Sequence, residues 1–354
     1  MTSGGSGTIQ VVSDLAVADG FVVAVGTLFH AAAPPEVGSV PEDGLVWRST
    51  DGTTWEAVST GDVFAGAQLG QLLVTPDEVL LFGEFDEDPS SGGNEVPRVW
   101  RSVDGVAWES TDVGLPENLK LLDLANGDRG HVITGAVDFG SAGHQIWFSP
   151  DGYDWEMVRE AVPDDDDPFG HESYLAAGAG PEGFVVVGRT AGHPDEPVVL
   201  ASSDGREWIE SAPPEPLQVG EVFNWVAPLG ADWVAIGGGA GGYNDWPVSI
   251  WSSADGLSWE RTGQIETVSR GGLLRYASAF SSTGDGLFLS IGIQCCGFPR
   301  PVGVWSSTDG SAWDPVELGD AEVAAAVRTG DALILGGRIG VEEAEAAIWR
   351  RASE

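Results

Sequence analysis

The sequence predicts an all-β fold, a β-propeller of seven blades, and two repeated signals carry this prediction. The first is a box of the form Ser-x-Asp-Gly-x-x-Trp, which occurs six times at spacings of about 50 residues. The second is a short apolar run that ends in glycine and precedes each box, and it occurs seven times. Repeats of this length with no sustained helical periodicity are typical of four-stranded propeller blades.

Each unit predicts four β-segments. The first segment is weakly apolar, and a turn rich in Asp, Gly or Asn joins it to the second. The second is the apolar run, whose Val, Ile, Leu and Phe residues fit a buried strand better than a helix. A variable loop leads to the third segment, and the box joins the third segment to the fourth. The glycines that end the seven runs are Gly26, Gly83, Gly135, Gly188, Gly237, Gly292 and Gly336.

The box has a local, structural explanation. Its Asp can accept hydrogen bonds from N–H groups of its own turn, its Gly tolerates a positive φ, its Ser adds a hydroxyl contact and its Trp buries a large ring. We therefore expect the boxes to build hairpins between the third and fourth strands of blades 1–6 rather than to carry chemistry. The box residues are Ser49, Asp51, Gly52, Trp55, Ser102, Asp104, Gly105, Trp108, Ser149, Asp151, Gly152, Trp155, Ser202, Asp204, Gly205, Trp208, Ser253, Asp255, Gly256, Trp259, Ser307, Asp309, Gly310 and Trp313.

These residues resemble the Asp-box, or BNR, repeat, which occurs in sialidases, some xyloglucan-cleaving glycosidases, sortilin-type receptors and photosystem-assembly propellers. The rhythm of the whole chain is also similar to that of uncharacterised secreted or lipoprotein propellers of actinobacteria. The family includes enzymes, receptors and assembly factors, so the resemblance implies a fold and leaves the function open.

The seventh unit ends before a box could form. It contains its apolar run and the third segment "AAIWRRASE", and the N-terminal "TIQVVSDLAVADG" supplies only the first segment of blade 1. We therefore expect a three-stranded blade 7 whose open edge Arg350, Arg351 and Glu354 protect by charge. The predicted organisation is a leader, 1–8, and a single propeller, 9–354, with blades at 9–59, 60–112, 113–160, 161–212, 213–263, 264–317 and 318–354.

Composition restricts the partners. The formal net charge of the 354 residues is −39, and Lys120 is the only lysine among 16 basic residues. Such a charge repels nucleic acid and anionic membrane surfaces, and no apolar run is long enough to cross a bilayer. The start "MTSGGSGT" fits a linker or leader rather than a signal peptide. We expect an extracellular or cell-surface monomer, either a mature secreted protein or a lipoprotein.

The order of the segments sorts the connections onto two faces. The boxes and the turns between first and second segments lie on one face of the propeller, which we call the box face. The long variable loops lie on the opposite face, which we call the loop face. Binding residues on propellers usually lie in such loops, so we expect the ligand there. The adjacent cysteines of this face can form a vicinal disulfide or remain thiols. The candidate ligand-binding residues are Tyr243, Trp246, Cys295, Cys296, Phe298 and Arg300.

The loop face also contains the candidates for a metal site. Imidazoles beside carboxylates can bind Zn²⁺, and a run of Asp residues can bind Ca²⁺. Their spacing matches no known motif, and the acidic run equally fits a solvated loop. The candidate ligands of this divalent cation are His144, His171, His193, Asp165 and Asp167.

The resemblance to sialidases invites a search for their catalytic residues, namely three arginines, a Tyr assisted by a Glu, and an Asp acid/base. Tyr174 has Glu172 nearby and Tyr243 has Asp245, but neither match is specific and no catalytic residue is carried over. Three hypotheses remain. The first is a non-catalytic, secreted or surface-tethered propeller that binds a protein or glycan through the loop face. The second is a glycoside hydrolase with two unidentified carboxylates, and the third is a metal-dependent activity near the three histidines.

Overall fold

The computed structural model of the protein describes 8–31, 39–86, 95–137, 143–161, 172–190, 196–211, 221–239, 248–265, 274–295, 298–340 and 344–352. Every regular element in these ranges is a β-strand. The described residues contain no helix that is long and apolar enough to cross a membrane. The strands form seven sheets, in each of which consecutive strands pair antiparallel. The predicted seven-bladed propeller is confirmed.

The blades follow one another along the chain. Blade 1 consists of β1 (Thr8–Ala18), β2 (Phe21–Ala31), β3 (Ser39–Ser49) and β4 (Glu56–Ala57); blade 2 of β5 (Ala67–Val74), β6 (Val79–Asp86), β7 (Glu95–Ser102) and β8 (Glu109–Thr111); blade 3 of β9 (Leu119–Gly127), β10 (Gly130–Val137), β11 (His144–Ser149) and β12 (Glu156–Glu160). Blade 4 consists of β13 (Glu172–Gly180), β14 (Gly183–Thr190), β15 (Pro197–Ser202) and β16 (Ile209–Glu210), and blade 5 of β17 (Glu221–Leu229), β18 (Asp232–Gly239), β19 (Val248–Ser253) and β20 (Glu260–Ile265). Blade 6 consists of β21 (Leu274–Ser282), β22 (Leu287–Cys295), β23 (Phe298–Ser307) and β24 (Asp314–Val316), and blade 7 of β25 (Ala321–Thr329), β26 (Ala332–Ile339) and β27 (Glu345–Ala352).

The first strand of each blade contacts the first strands of both neighbouring blades, so these seven strands form the innermost ring. The ring closes between blades 1 and 7, where Gln10 N–H donates to the carbonyl oxygen of Ala344 at 2.8 Å. Val12 and Leu15 of β1 also share an apolar cluster with Ala325 and Ile334. Blade 7 has three strands, as predicted, and Arg350 and Arg351 are exposed on β27.

The glycine that ends the apolar run is explained by a bulge that every first strand contains. In blades 1–5 the pairing of the first and second strands shifts by one residue directly after the partner of this glycine, for example between Tyr174 and Ala176. In blade 6 the shift lies one pair further from the glycine, and in blade 7 the glycine at this place is Gly337 rather than Gly336. In blades 1 and 4 the carbonyl of the residue that precedes the glycine's pairing partner lies against the glycine of the second strand. A Cβ on Gly188 would lie 1.8 Å from the carbonyl oxygen of Ser173, and one on Gly26 would lie 1.9 Å from that of Val11. Only glycine fits this close backbone approach.

The Ser and Asp hydrogen bonds recur in all six boxes, and the Trp hydrogen bond is observed in the boxes of blades 2–6. In blade 4, Gly205 N–H donates to Ser202 Oγ at 2.8 Å, and the N–H groups of Arg206 and Glu207 donate to Asp204 Oδ1 at 2.9 Å each. Trp208 Nε1–H donates to the carbonyl oxygen of Gly205 at 3.2 Å. The backbone N–H groups hold the pKa of each box aspartate below its usual range. For Asp51 the pKa falls to about 2.

The box glycine also packs on the preceding blade. Gly205 has a φ of +76°, and a Cβ there would lie 2.1 Å from the ring of Phe148 in blade 3. A Cβ on Gly52 of blade 1 would likewise lie 2.7 Å from Ile334 in blade 7. On the same face, Tyr153 in the box of blade 3 donates from its hydroxyl to Glu78 Oε1 of blade 2 at 2.7 Å. The boxes therefore link neighbouring blades around the ring.

We expect Asp204→Ala to lower the melting temperature by about 1–2 °C, because two backbone N–H groups lose their acceptor. The pKa of Asp204 is lower in the folded state, so its contribution is present above the usual pKa of 3.8 and is lost as the pH falls below it. The melting-temperature difference from the unmodified protein should therefore shrink below pH 4. Asp204→Asn, which keeps an acceptor oxygen, is the control and should lose less; an equal loss in both variants at every pH would contradict this account.

Candidate functional site between blades 2 and 3

The predicted ligand-binding residues fall mostly outside the described structure. This holds for Tyr243, Trp246 and Cys296, and for the side chains of Cys295, Phe298 and Arg300. The expectation of a long irregular loop is wrong at the cysteines, because β22 runs to Cys295 and pairs with Phe298 at the start of β23. Antiparallel pairing continues as far as Cys295 and Phe298. The ligand contacts of these six residues remain a prediction.

The metal site also remains a prediction. His171, His193, Asp165 and Asp167 lie outside the described residues. His144 begins β11 rather than lying in a loop, and its Nδ1 accepts a hydrogen bond from Tyr174 N–H at 3.2 Å. Within the described ranges, no three His, Cys, Asp or Glu side chains come together as a possible metal site.

Tyr174 and Glu172, which the comparison with sialidases singled out, do meet in the structure. The Tyr174 hydroxyl donates to Glu172 Oε2 at 2.6 Å and accepts from Arg159 Nε at 2.9 Å. Tyr174 is completely buried, and burial together with the Glu172 carboxylate raises the pKa of its hydroxyl. A completely buried hydroxyl cannot reach a substrate in this conformation, and the hydrogen bonds of Tyr174 to Glu172 and Arg159 join blades 3 and 4.

A cavity of about 450 Å³ opens between blades 2 and 3, where β5, β6 and β9 meet. It lies in the half of these strands nearer the loop face, because Gln68 and Lys120 stand at the second positions of their strands and Glu84 stands two residues before the end of β6. Its volume suits a single sugar ring or a single amino-acid side chain.

The lining of this cavity combines an apolar wall with polar groups of both signs. Phe82 is buried and Leu121 is half-buried, whereas Gln68 is exposed. Glu84 and Lys120 are half-buried and bring one negative and one positive charge to the lining. An apolar surface with a few polar groups is the usual composition of a ligand site.

The cavity wall is fixed by residues that directly follow the bulges of blades 1–3. Gln71 lines the cavity and donates from Nε2 to Asp123 Oδ1 at 2.7 Å. Asp123 Oδ1 also accepts from Leu124 N–H, and its Oδ2 accepts from Ala177 N–H of blade 4, both at 2.9 Å. This network holds Gln71 in place across three blades.

Asp14 makes the same kind of link from blade 1. Its Oδ1 accepts from Leu15 N–H at 2.7 Å, and its Oδ2 accepts from Leu72 N–H of blade 2 at 2.8 Å. Burial raises the pKa of Asp14 to about 7 against the opposing effect of these two bonds, and the charge of Asp123 raises it further. Burial likewise raises the pKa of Asp123.

Comparison with known proteins supports the architecture. No protein-family model and no curated protein matches the chain. Among solved structures, the chain is similar to YCF48 bound to a D1 peptide, with 13% identity and a TM-score of 0.53 over 99% of this chain and 93% of the other. It is also similar to Trypanosoma rangeli sialidase, with 13% identity and a TM-score of 0.50 over 94% of this chain and 69% of the other. The likeness is one of fold.

Asp14 and Asp123, the two described carboxyls whose pKa is raised, do not resemble a glycosidase site. A glycosidase needs one carboxyl that can reach the glycosidic oxygen and a second that reaches the sugar or a water molecule. Both oxygens of Asp14 and both oxygens of Asp123 already accept hydrogen bonds from neighbouring residues. These two carboxyls are therefore occupied with joining blades.

Sequence reasoning missed the cavity because its residues lie on strands rather than in the long loops. A signal was nevertheless present in the first segments, where Asp14, Gln71 and Asp123 stand at the same repeat position and each precedes a leucine. Three polar residues at the same position of three otherwise apolar strands indicate that each forms a hydrogen bond in the folded protein. Lys120, the only lysine, was the other visible signal.

Proposed function

We propose that the protein is a binding propeller, secreted or tethered to the cell surface and without catalysis of its own, that holds a protein or glycan ligand on its loop face. The cavity between blades 2 and 3 is the observation that carries this proposal. It anchors one side chain or one sugar ring of the ligand, and the surrounding loop face contacts the rest.

The chemistry of the cavity favours binding over catalysis. The lining combines the polar side chains of Lys120, Gln68 and Glu84 with the apolar surface of Phe82 and Leu121. The two carboxyls with raised pKa, Asp14 and Asp123, hold the scaffold behind it. A propeller of the same fold, YCF48, binds a D1 peptide.

The charge of the chain supports the proposed location. A net charge of −39 with a single lysine keeps the surface highly solvated and repels nucleic acid. Detection of the native protein in the culture medium or on intact cells, with a cytosolic enzyme as the control marker, tests this part; recovery only with the cytosolic marker would exclude it.

Binding to arrays of oligosaccharides and of peptides tests the proposed function. We expect Lys120→Ala to weaken binding of the array-selected ligand about tenfold, because a charged hydrogen bond contributes roughly 1.5–3 kcal/mol. Gln68→Ala should weaken it less, and Gln264→Ala, on the exposed surface of β20 in blade 5, is the matched control and should have no effect. Full affinity in both cavity variants would show that the ligand binds elsewhere, and the absence of any ligand would reject the binding role.

A further inference from the structure

The outer edge of blade 7 is open. In the described part of the chain, β27 pairs with β26 on one side and with no strand on the other, whereas the third strand of every other blade pairs with a fourth. β27 contains eight residues, Glu345–Ala352, and is longer than any of the six fourth strands. Such an edge presents unpaired backbone N–H and C=O groups that can accept another strand.

A register rule in the other blades indicates what this edge would accept. Five of the six four-stranded blades have a Trp near the end of the third strand, and the residue that follows this Trp pairs with an acidic residue of the fourth strand. These pairs are Arg48↔Glu56, Arg101↔Glu109, Phe148↔Glu156, Ser252↔Glu260 and Ser306↔Asp314.

Arg350 occupies this position in blade 7. Trp349 and Arg350 correspond to Trp100 and Arg101 of blade 2. There, Arg101 donates from Nε and Nη2 to Glu109 Oε1 at 2.8 and 2.5 Å, so the arginine binds a carboxylate of the fourth strand. Arg350 and Arg351 are both exposed, and they place two adjacent positive charges on an otherwise strongly acidic protein.

We propose that the outer edge of blade 7 is a strand-addition site that takes an extended acidic segment of a partner protein as its fourth strand. The segment lies antiparallel to β27 and places a carboxylate opposite Arg350. The acidic fourth strands in the described part of the chain are all paired within their own blades, and we place the added strand in a partner protein. The two arginines repel basic strands and favour acidic ones. This site is independent of the cavity between blades 2 and 3.

The chain supplies its own probe for this site. A fluorescein-labelled peptide that copies 106–113, with the sequence VAWESTDV, contains the fourth strand of blade 2 and its Glu109. We expect it to bind the full chain with a Kd below about 1 mM in an anisotropy titration. Arg350→Glu should weaken binding at least tenfold, and a peptide with lysine in place of Glu109 should then bind this variant better than it binds the unmodified protein.

Arg129→Glu, on the turn between β9 and β10, is the matched control for the change in net charge and should leave peptide binding unaltered. If both charge reversals weaken binding equally, the affinity depends only on the net charge of the protein and not on Arg350. If the peptide does not bind at 1 mM, the proposal that a free segment adds as a strand is overturned.

A second measurement does not depend on the affinity of a short peptide. Replacing 351–354 with 49–58 of blade 1 attaches a box and a fourth strand to β27 and places Glu56 opposite Arg350. Because the added strand is linked covalently, its effective concentration is high. We expect a higher melting temperature than that of the unmodified chain, and a smaller rise when Glu56 in the attached segment is lysine. An unchanged melting temperature in both fusions would overturn the proposed register.

Discussion

Gly188→Ala is expected to destabilise the protein by roughly 3 kcal/mol or more, enough to cause much of the chain to be recovered unfolded. The new Cβ would lie 1.8 Å from the carbonyl oxygen and 2.8 Å from the carbonyl carbon of Ser173. Both atoms belong to the backbone of β13, so no side-chain rotation can relieve the clash. The sheet of blade 4 must separate at the bulge, where Tyr174 N–H also bonds to His144.

Chemical denaturation of the variant, followed by tryptophan fluorescence, measures this loss. Gly238→Ala is a matched control on β18, because a Cβ there meets only Asn224 Nδ2 at 3.9 Å. We expect the control to change the free energy of unfolding by less than about 0.5 kcal/mol. If Gly188→Ala unfolds at the same denaturant concentration as the control, the carbonyl of Ser173 does not press on this glycine and the explanation of the repeated glycine is wrong.

The sequence shows that a glycine ends each apolar run, but it does not show the reason for this glycine. The reason is a contact between two strands, and periodicity describes only the residues of one strand. The hydrogen bonds of the box were visible in advance because each donor and acceptor lies within three residues of Asp204 or its equivalents. The packing of Gly205 on Phe148 of the preceding blade was not visible, because it depends on how two repeats are placed in space.

The number of strands in blade 7 could be derived by counting boxes, since six boxes give six fourth strands. The cavity could not be derived in this way. Gln68, Glu84 and Lys120 belong to three different strands, and their proximity depends on how blades 2 and 3 face each other. The polar residues behind the cavity interrupt the expected apolar pattern of the first strands because the bulge turns them toward the next blade.

Asp14→Asn is expected to remove the part of the pH dependence of the free energy of unfolding that comes from Asp14. This part amounts to up to roughly 4 kcal/mol between pH 4 and pH 8. The pKa of Asp14 rises from 3.8 to about 7 on folding. Between these two values the folded state binds more protons than the unfolded state, so stability decreases as the pH rises. The cost is absent below pH 3.8 and complete above pH 7. An asparagine does not ionise, and this cost therefore disappears in the variant.

The substitution also has a cost that does not depend on pH. The amide oxygen of asparagine can replace one of the two carboxyl oxygens, but its NH₂ group cannot accept from Leu15 N–H or Leu72 N–H. An unsatisfied N–H costs roughly 1–3 kcal/mol. Asp14→Asn should thus melt below the unmodified protein at pH 4, and the gap should close or change sign by pH 8.

The difference between the two melting curves isolates this residue, because the repulsion among the other acidic side chains is common to both proteins. Asp19→Asn removes one exposed carboxylate from the adjacent turn of blade 1 and is the control. The difference for Asp14→Asn should change with pH more than that for Asp19→Asn, and a difference for Asp14→Asn that does not change with pH would contradict the raised pKa of Asp14. Because the charge of Asp123 contributes to the raised pKa of Asp14, Asp123→Asn should move the midpoint of this transition to lower pH. Such a shift would show that the two carboxyls interact across the blade that carries Gln71.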